Sequence, residues 1–240
     1  MKILRISSGM PVAALGLCLA LSPNLSASTL VHTFLFNNSL ADSTGSATMS
    51  ANGGSLTATN YVFGANQGLT LTGVSNSLSD YSIEMEFSLA NVNGFNKILD
   101  FKNLTSDRGL YVAFGGLRFF DLATGGSIAA NTPVRVVLTR TAATDELRVW
   151  VNGATAFSVG DPLGRGIFTG PLQFFGDDNG GSEASAGSVD LIRVYNGALM
   201  PAEVESLTSP GSSPEVPEPA TLAITGLGLA SLAILKRRQR

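Results

Sequence analysis

The sequence predicts an all-β domain that folds as a two-sheet antiparallel sandwich of the jelly-roll type. Three observations predict it. Apolar and polar residues alternate along many short segments, glycine is abundant at 27 of 240 residues, and only 14% of the residues are charged. Turn signals separate these segments at short spacing. Many short strands joined by tight turns are typical of sandwiches rather than of helical or α/β folds.

The alternation is clearest from Tyr81 to Leu89, where every second residue is apolar. We expect one face of this strand to lie in the core and the other, with Glu84 and Glu86, to face solvent. The other predicted strands cover residues 96–101, 109–114, 116–121, 134–140, 146–151, 154–159, 172–175 and 188–195.

Glycine-containing pairs mark the predicted turns. Asn152-Gly153 is the strongest hairpin signal, because a type I′ turn needs positive φ at both central residues. Gly115-Gly116 and Gly125-Gly126 indicate further turns. One segment, residues 201–207, is predicted to be helical, with Pro201 in its first turn.

The N-terminal segment has the pattern of a secretory signal peptide over residues 1–28. Lys2 and Arg5 precede an apolar run at residues 11–21, and the small residues of Ser26-Ala27-Ser28 offer a cleavage site. The only cysteine, Cys18, would leave with this peptide. The exported chain would then lack disulfides, so its core must hold the fold together unaided.

The residues between the two terminal signals are predicted to form one domain, residues 30–207, followed by a linker at 208–216 that is rich in proline, glycine and serine. The net charge of −3 and the isoelectric point near 5.1 argue against a nucleic-acid partner.

The C-terminal segment, residues 217–240, has the pattern of a targeting signal. Pro217, Glu218 and Pro219 precede an apolar run at residues 220–235, which Lys236, Arg237 and Arg238 follow. As a helix the run would rise about 24 Å, enough to span a locally thinned bilayer with the basic residues in the cytoplasm. The three parts together resemble the PEP-CTERM sorting signal of Gram-negative bacteria. The resemblance implies processing by an exosortase, transient anchoring in the inner membrane, and a final place at the cell surface or outside the cell.

Three segments of the central domain resemble the LamG-like members of the concanavalin A-like lectin and glucanase superfamily. They are residues 34–42 (FxFNNSLxD), 148–153 (RVWVNG) and 189–199 (VDLIRVYNxAL), where x is a position that the resemblance leaves open. The resemblance implies a jelly roll whose concave sheet often meets glycans or proteins.

The composition offers little for enzyme chemistry. His32 is the sole histidine, so a Ser/His/Asp triad could use only that residue, and a multi-histidine zinc site cannot form. Retaining glycosidases of the superfamily carry alternating acids on one strand. The nearest candidates are Glu84 and Glu86, which lack a third acid and are expected to be solvated. We therefore expect no catalytic activity.

The sequence also suggests that the domain binds calcium. Asp177, Asp178 and Glu183 lie in a glycine-rich loop that supplies several hard oxygen donors. By resemblance to related glucanases, Asp190 at the start of the last strand would bind a structural Ca²⁺. The alternatives are a solvated acidic turn and an ordinary aspartate at a strand start.

Aromatic residues supply the glycan hypothesis, because sugars stack their apolar faces on exposed rings. In Phe119-Phe120 and Phe174-Phe175, adjacent rings should point to opposite faces, so one of each pair could face outward or lie under a loop. Trp150 is expected opposite the core face or on the concave surface.

The sequence therefore favours an exported surface or matrix protein whose domain binds exopolysaccharide. The alternatives are a structural protein that packs against other matrix proteins and, less favoured, a divergent glycan-active enzyme. An outward aromatic platform would indicate binding, exposed apolar patches without a groove would indicate a structural role, and paired acids in a cleft would indicate an enzyme.

Overall fold

The structure is a computed structural model, and it describes residues 28–74, 79–177 and 180–207. Three predicted segments lie outside these residues: the signal peptide apart from Ser28, the linker, and the sorting signal with its membrane helix. Within the described ranges, no helix is long and apolar enough to cross a membrane.

The described residues form fifteen strands and one short helix. The elements are β1 (Thr29–Phe34), β2 (Thr48–Ala51), β3 (Ser55–Leu56), β4 (Tyr61–Phe63), β5 (Leu69–Thr72), β6 (Tyr81–Leu89), β7 (Phe95–Asp100), β8 (Gly109–Ala113), β9 (Gly116–Phe119), β10 (Ala123–Gly125), β11 (Val134–Thr141), β12 (Glu146–Val151), β13 (Ala154–Gly160), β14 (Leu172–Phe174), β15 (Gly187–Asn196) and α1 (Pro201–Ser206).

The strands make two antiparallel sheets that pack face to face, which confirms the predicted sandwich. The first sheet has the order β13-β12-β11-β6-β15-β4-β3, and β1 also pairs with β15. The second has the order β10-β9-β8-β7-β14-β5-β2. Alternate residues of both sheets point inward and form one apolar core, as the period of two requires.

The predicted strands agree with the structure to within one or two residues at each end, and Asn152-Gly153 forms the predicted two-residue turn with φ of 49° and 82°. The strands β1 to β5 and β10 were not predicted. They have two to six residues each, and segments this short give little periodicity to detect.

The outer face of β6 is the main departure from expectation. This face was predicted to be solvated, yet Ser82 and Glu84 are both fully buried. The reason is the position of β6 between β11 and β15, with residues 197–207 lying over that part of the sheet.

Residues 197–207, which follow β15, are fixed to the outer face of the first sheet. Leu199, Val204 and Leu207 pack against outward-facing side chains of the strands, among them Trp150 and Tyr195. The hydroxyl of Ser82 donates to Gly197 O at 3.0 Å and accepts from Leu199 N–H at 2.8 Å. A second small apolar cluster therefore closes the centre of this face.

Beside this cluster, Glu84 is the centre of a buried network of charged groups. Its Oε1 lies 3.3 Å from Arg135 Nε, and its Oε2 accepts hydrogen bonds from Arg193 Nη1 at 3.3 Å and from the Tyr195 hydroxyl at 2.8 Å. Burial raises the pKa of Tyr195, and the Glu84 carboxylate raises it further, so the phenol remains a neutral donor. Glu86 also pairs with Arg135, at 3.0 Å, but keeps 21% of its side chain exposed.

A carboxylate organises the loop after β1 in a similar way. Asp42 Oδ1 accepts the backbone N–H groups of Thr33, Thr44 and Gly45 at 2.9 to 3.1 Å. Its Oδ2 accepts Ala47 N–H at 3.1 Å and lies 2.6 Å from His32 Nδ1. Burial by itself raises the pKa of Asp42, but these hydrogen bonds outweigh burial and hold the pKa well below its usual 3.8. The sole histidine is thus engaged in a structural contact.

We predict that Glu84→Gln destabilises the protein by about 3 kcal/mol, because it leaves Arg193 and part of Arg135 buried without a full counter-charge. Denaturant unfolding of the full-length chain measures the change. Glu86→Gln is the matched control, and since that side chain is part-exposed its loss should be about 1 kcal/mol or less. Equal losses in the two variants would contradict the central role of Glu84.

We predict a loss of about 2 kcal/mol for Asp42→Asn, because the amide cannot accept all the hydrogen bonds that the carboxylate accepts. The folded pKa is depressed, so the carboxylate stabilises the fold above pH 3.8, and this stabilisation disappears as the pH falls further. Thermal melts of wild type and variant between pH 7 and pH 2 should therefore converge at the acid end. A constant difference in stability over that range would contradict the assignment.

Candidate functional site

Aromatic rings line the outer face of the second sheet near the β8–β9 hairpin. The Phe114 ring meets Phe95 edge to face with 5.6 Å between centroids, Phe95 meets Tyr111 at 6.1 Å, and Tyr111 meets Phe120 at 6.0 Å. Tyr111 is buried below the others. We call Phe95, Phe114, Phe120 and the neighbouring Arg118 the aromatic surface.

Phe114 is the most unusual member of this surface. It is 72% exposed, and its φ is 52° in a two-residue turn with Gly115, whose φ is 77°. Both central residues of a type I′ turn need positive φ, which favours asparagine and glycine and is unfavourable for a bulky side chain. Neither the backbone nor the core therefore accounts for a phenylalanine at this position.

The turn that carries Phe114 is held rigidly. The Phe114 N–H donates to Gly94 O at 3.1 Å. The Gly115 N–H donates to Val92 O at 2.9 Å, and the Ile128 N–H donates to Gly115 O at 2.7 Å. Segments on both sides of the hairpin thus fix the turn to the rest of the domain. A ring presented in this way loses little conformational freedom when it contacts a ligand.

Arg118 projects from β9 between two of the rings. Its Cζ lies 5.5 Å from the centre of the Phe95 ring and 5.9 Å from that of Phe120. These are cation–π contacts, and neither ring offers an oxygen acceptor. Within the part of the chain that the structure describes, Arg118 has neither a carboxylate partner nor a hydrogen bond, and it remains half-buried.

A shallow depression of about 470 Å³ lies beside the hairpin, with Phe114, Arg118, Thr124 and Ser127 on its walls. It combines an exposed ring face, a cation and two hydroxyl groups. Such a mixture suits a ligand with both apolar faces and hydrogen-bonding groups.

A larger cavity of about 620 Å³ lies on the other side of the sandwich, between Trp150 and the start of α1. There the tryptophan is only 2% exposed, and the guanidinium of Arg148 lies 5.8 Å from its ring centre. Glu146 in turn pairs with Arg148 at 2.7 Å. The ring is covered and the cation neutralised, so this cavity offers less to a ligand than the aromatic surface does.

The two predicted phenylalanine pairs behave differently. Phe119 and Phe120 do point to opposite faces, and the outward Phe120 joins the aromatic surface. Phe174 and Phe175 both lie in the core, which corrects the expectation for this pair. The strand β14 ends at Phe174, and the φ of 55° at Phe175 breaks the alternation. Trp150 packs opposite the core face, as one of its two alternatives predicted.

Of the residues predicted to bind calcium, Asp177, Glu183 and Asp190 lie in the described ranges, where they do not form one carboxylate cluster. Over residues 28–74, 79–177 and 180–207, no group of three or more His, Cys, Asp or Glu side chains could hold a metal ion. Asp178 lies outside these ranges. Asp190 sits at a bulge in β15, where burial raises its pKa, a hydrogen bond with Asn60 lowers it, and the carboxylate of Glu86 raises it. It therefore belongs to a different neighbourhood from the acidic loop.

Asp177 itself shapes the acidic loop. Its Oδ2 accepts the backbone N–H groups of Gly181 at 3.2 Å and Glu183 at 3.0 Å. Its Oδ1 is buried and has no hydrogen-bond partner among the described residues. A buried carboxylate oxygen without a partner is unfavourable, so this atom is the part of the loop most suited to a cation.

The sequence did not point to Phe95, Phe114 or Arg118. The sequence contained one signal that could have located Phe114. Two strand patterns separated by two residues, the second of which is glycine, indicate a type I′ hairpin. Placing the turn at Phe114-Gly115 instead of Gly115-Gly116 would have put a phenylalanine where asparagine is usual. The contact of Arg118 with rings from β7 and from the segment after β9 depends on strand register, which the local pattern does not determine.

Comparison with known proteins agrees with this fold. The sequence profile of the concanavalin A-like lectin/glucanases superfamily matches residues 63–205. The structure is similar to Trypanosoma rangeli sialidase in complex with 2,3-difluorosialic acid, with a TM-score of 0.62 and 16% identity over 75% of this chain and 32% of the sialidase. It is also similar to domain 4 of the extracellular arabinanase AbnA from Geobacillus stearothermophilus in complex with arabinotriose. That TM-score is 0.57, with 18% identity over 76% of this chain and 100% of the arabinanase domain.

The chain thus spans about a third of the length of the sialidase it resembles. No curated protein sequence matches it. At these identities the structural likeness concerns the fold.

A second profile, the PEP-CTERM protein-sorting motif, matches residues 215–238. This range includes Pro217, Glu218, Pro219 and the basic residues Lys236 to Arg238, and it confirms the predicted sorting signal. The motif indicates a secreted protein that an exosortase processes in Gram-negative bacteria. The chain belongs to the concanavalin A-like lectin/glucanases superfamily and carries a PEP-CTERM sorting motif behind its jelly-roll domain.

Proposed function

We propose that the jelly-roll domain binds an extracellular polysaccharide through the aromatic surface, in the matrix or at the cell surface of the bacterium that exports it. The observation that carries the proposal is the exposed Phe114, held in a backbone conformation that a phenylalanine rarely adopts. Strained backbone positions cluster at binding and active sites. The sorting motif supports the proposal, because export places the domain where such polymers are found.

The chemistry of the surface fits a glycan better than a globular protein. A sugar ring can lay its apolar face on Phe114 while Thr124 and Ser127 hydrogen-bond its hydroxyl groups. The depression of about 470 Å³ has the volume of a small-ligand site, whereas a stable protein complex buries an extended area of about 800 Å² on each partner. Packing against other matrix proteins remains the competing hypothesis, and the test below separates the two.

The proposal assigns no catalytic step to Glu84 and Glu86. Glu84 is fully buried and bound to Arg135, Arg193 and Tyr195, so its carboxylate cannot approach a glycosidic bond. A retaining hydrolase needs two accessible carboxyl groups about 5 Å apart.

We also propose that a calcium ion stabilises the acidic loop. The support is Asp177 Oδ1, which is buried without a hydrogen-bond partner in the described ranges while Oδ2 already holds the loop backbone. Loop carbonyl groups would complete the oxygen ligands that calcium prefers.

We predict that Phe114→Asn weakens binding to the exopolysaccharide of the producing bacterium by about tenfold or more, since it removes the buried area of a stacked ring. The same change should leave the melting temperature unchanged or raise it by about 2–4 °C, because asparagine suits positive φ. Retention of the full-length chain, purified in mild detergent, on immobilised polysaccharide measures the first effect, and a thermal melt measures the second.

Val62→Asn is the matched control for this prediction. Val62 is 43% exposed in β4 on the outer face of the first sheet, opposite the aromatic surface, and its replacement should leave retention unchanged. Equal retention of the wild type and Phe114→Asn would show that the aromatic surface is not the binding site. No retention of the wild type would favour the structural hypothesis.

We predict that 10 mM Ca²⁺ raises the melting temperature of chelated protein by about 3–10 °C. Extracellular calcium modules have dissociation constants of about 0.1 to 1 mM. At 10 mM Ca²⁺ these constants correspond to about 1.4–2.7 kcal/mol of added stability, which gives the expected rise in melting temperature. In Asp177→Asn the remaining oxygen still accepts the two backbone N–H groups, but the rise should vanish. An unchanged melting temperature in the wild type would remove calcium from the proposal.

A further inference from the structure

The positive charge of Arg118 indicates which chemical class of glycan the aromatic surface would bind. We propose that the aromatic surface selects an acidic polysaccharide, in which a carboxylate on the sugar pairs with the Arg118 guanidinium while the ring of that sugar or its neighbour stacks on Phe114. This inference rests on the proposed glycan-binding function and adds the chemical class of the ligand.

The first support is that Arg118 is short of acceptors. Its contacts are with the rings of Phe95 and Phe120, and among residues 28–74, 79–177 and 180–207 no carboxylate or carbonyl accepts its N–H donors. A guanidinium carries five N–H donors in a planar fork. No Arg118 nitrogen is among the buried groups without a partner, so the fork faces solvent, where a ligand that supplies two oxygens in one plane can replace water.

The second support is that nearby carboxylates are occupied by other cations. Asp100, on the same sheet, pairs with Lys97 at 3.2 Å with both side chains fully buried. Asp121, just after Phe120, pairs with Arg165. Among the described residues no carboxylate pairs with Arg118, so its positive charge is available to a ligand.

The third support is the spacing of the charge and the exposed ring. Phe95 is in contact with both, with 5.6 Å to the Phe114 centroid and 5.5 Å to Arg118 Cζ. One sugar unit or two adjacent units can reach both groups at once. The rings also exclude water from one side of the guanidinium, which strengthens its attraction to an anion relative to a fully solvated arginine.

The experiment compares two forms of one polymer, the exopolysaccharide of the producing bacterium before and after chemical reduction of its carboxylates to primary alcohols. We expect the full-length wild-type chain to bind the native form about tenfold more tightly than the reduced form, and expect this preference to weaken with added salt. Arg118→Gln should bind both forms as weakly as the wild type binds the reduced one. Arg118→Lys should recover part of the preference, since it keeps the charge but loses the fork.

The matched control is Arg148→Gln, which removes an arginine that also contacts an aromatic ring but lies on the first sheet. It should behave as the wild type. If the wild type binds both forms equally and Arg118→Gln matches it, the acidic-glycan inference fails while glycan binding stands. If Arg118→Gln weakens both forms by the same factor, the arginine only shapes the surface and the inference again fails. If the wild type binds neither form, the proposed function itself fails.

Discussion

The buried carboxylate of Glu84 is the interaction on which the arrangement of this domain depends. It neutralises arginines on both neighbouring strands and accepts the Tyr195 hydroxyl, so charged side chains can lie beneath other groups at the centre of a sheet. Next to this network, residues 197–207 close the same face with apolar contacts and with two hydrogen bonds to Ser82. The centre of the first sheet is therefore covered on both faces, which leaves the outer face of the second sheet for a ligand.

The aromatic surface differs from the rest of the fold because neither burial nor turn geometry accounts for its exposed residues. Core rings such as Phe119 and Phe174 are placed by burial, and Asn152 is placed by its turn. Phe114 gains neither benefit, and Arg118 is held half-buried against rings that offer it no acceptor. Local choices that disagree with folding are expected where a residue serves another purpose. The two residues argue for the same site by independent routes, one through backbone conformation and the other through charge.

Local patterns in the sequence predict much of the fold. The alternation in β6, the Asn152-Gly153 turn and the final strand are local signals, and the structure confirms them. The solvent exposure of Glu84 was predicted wrongly, because exposure depends on which segment covers a face and not on the alternation within one strand. Phe175 was misplaced for a backbone reason, since a single positive φ ends the alternation. The aromatic surface needs the register of β7, β8 and β9, which is a non-local property.

The last described residue and the aromatic surface lie on opposite sides of the sandwich. The last described residue, Leu207, packs on the outer face of the first sheet, whereas Phe95 and Arg118 lie on the outer face of the second. Two packed sheets about 10 Å apart separate these faces. The proposed polysaccharide at the aromatic surface would therefore lie on the side of the sandwich opposite Leu207, where residues 197–207 do not block it.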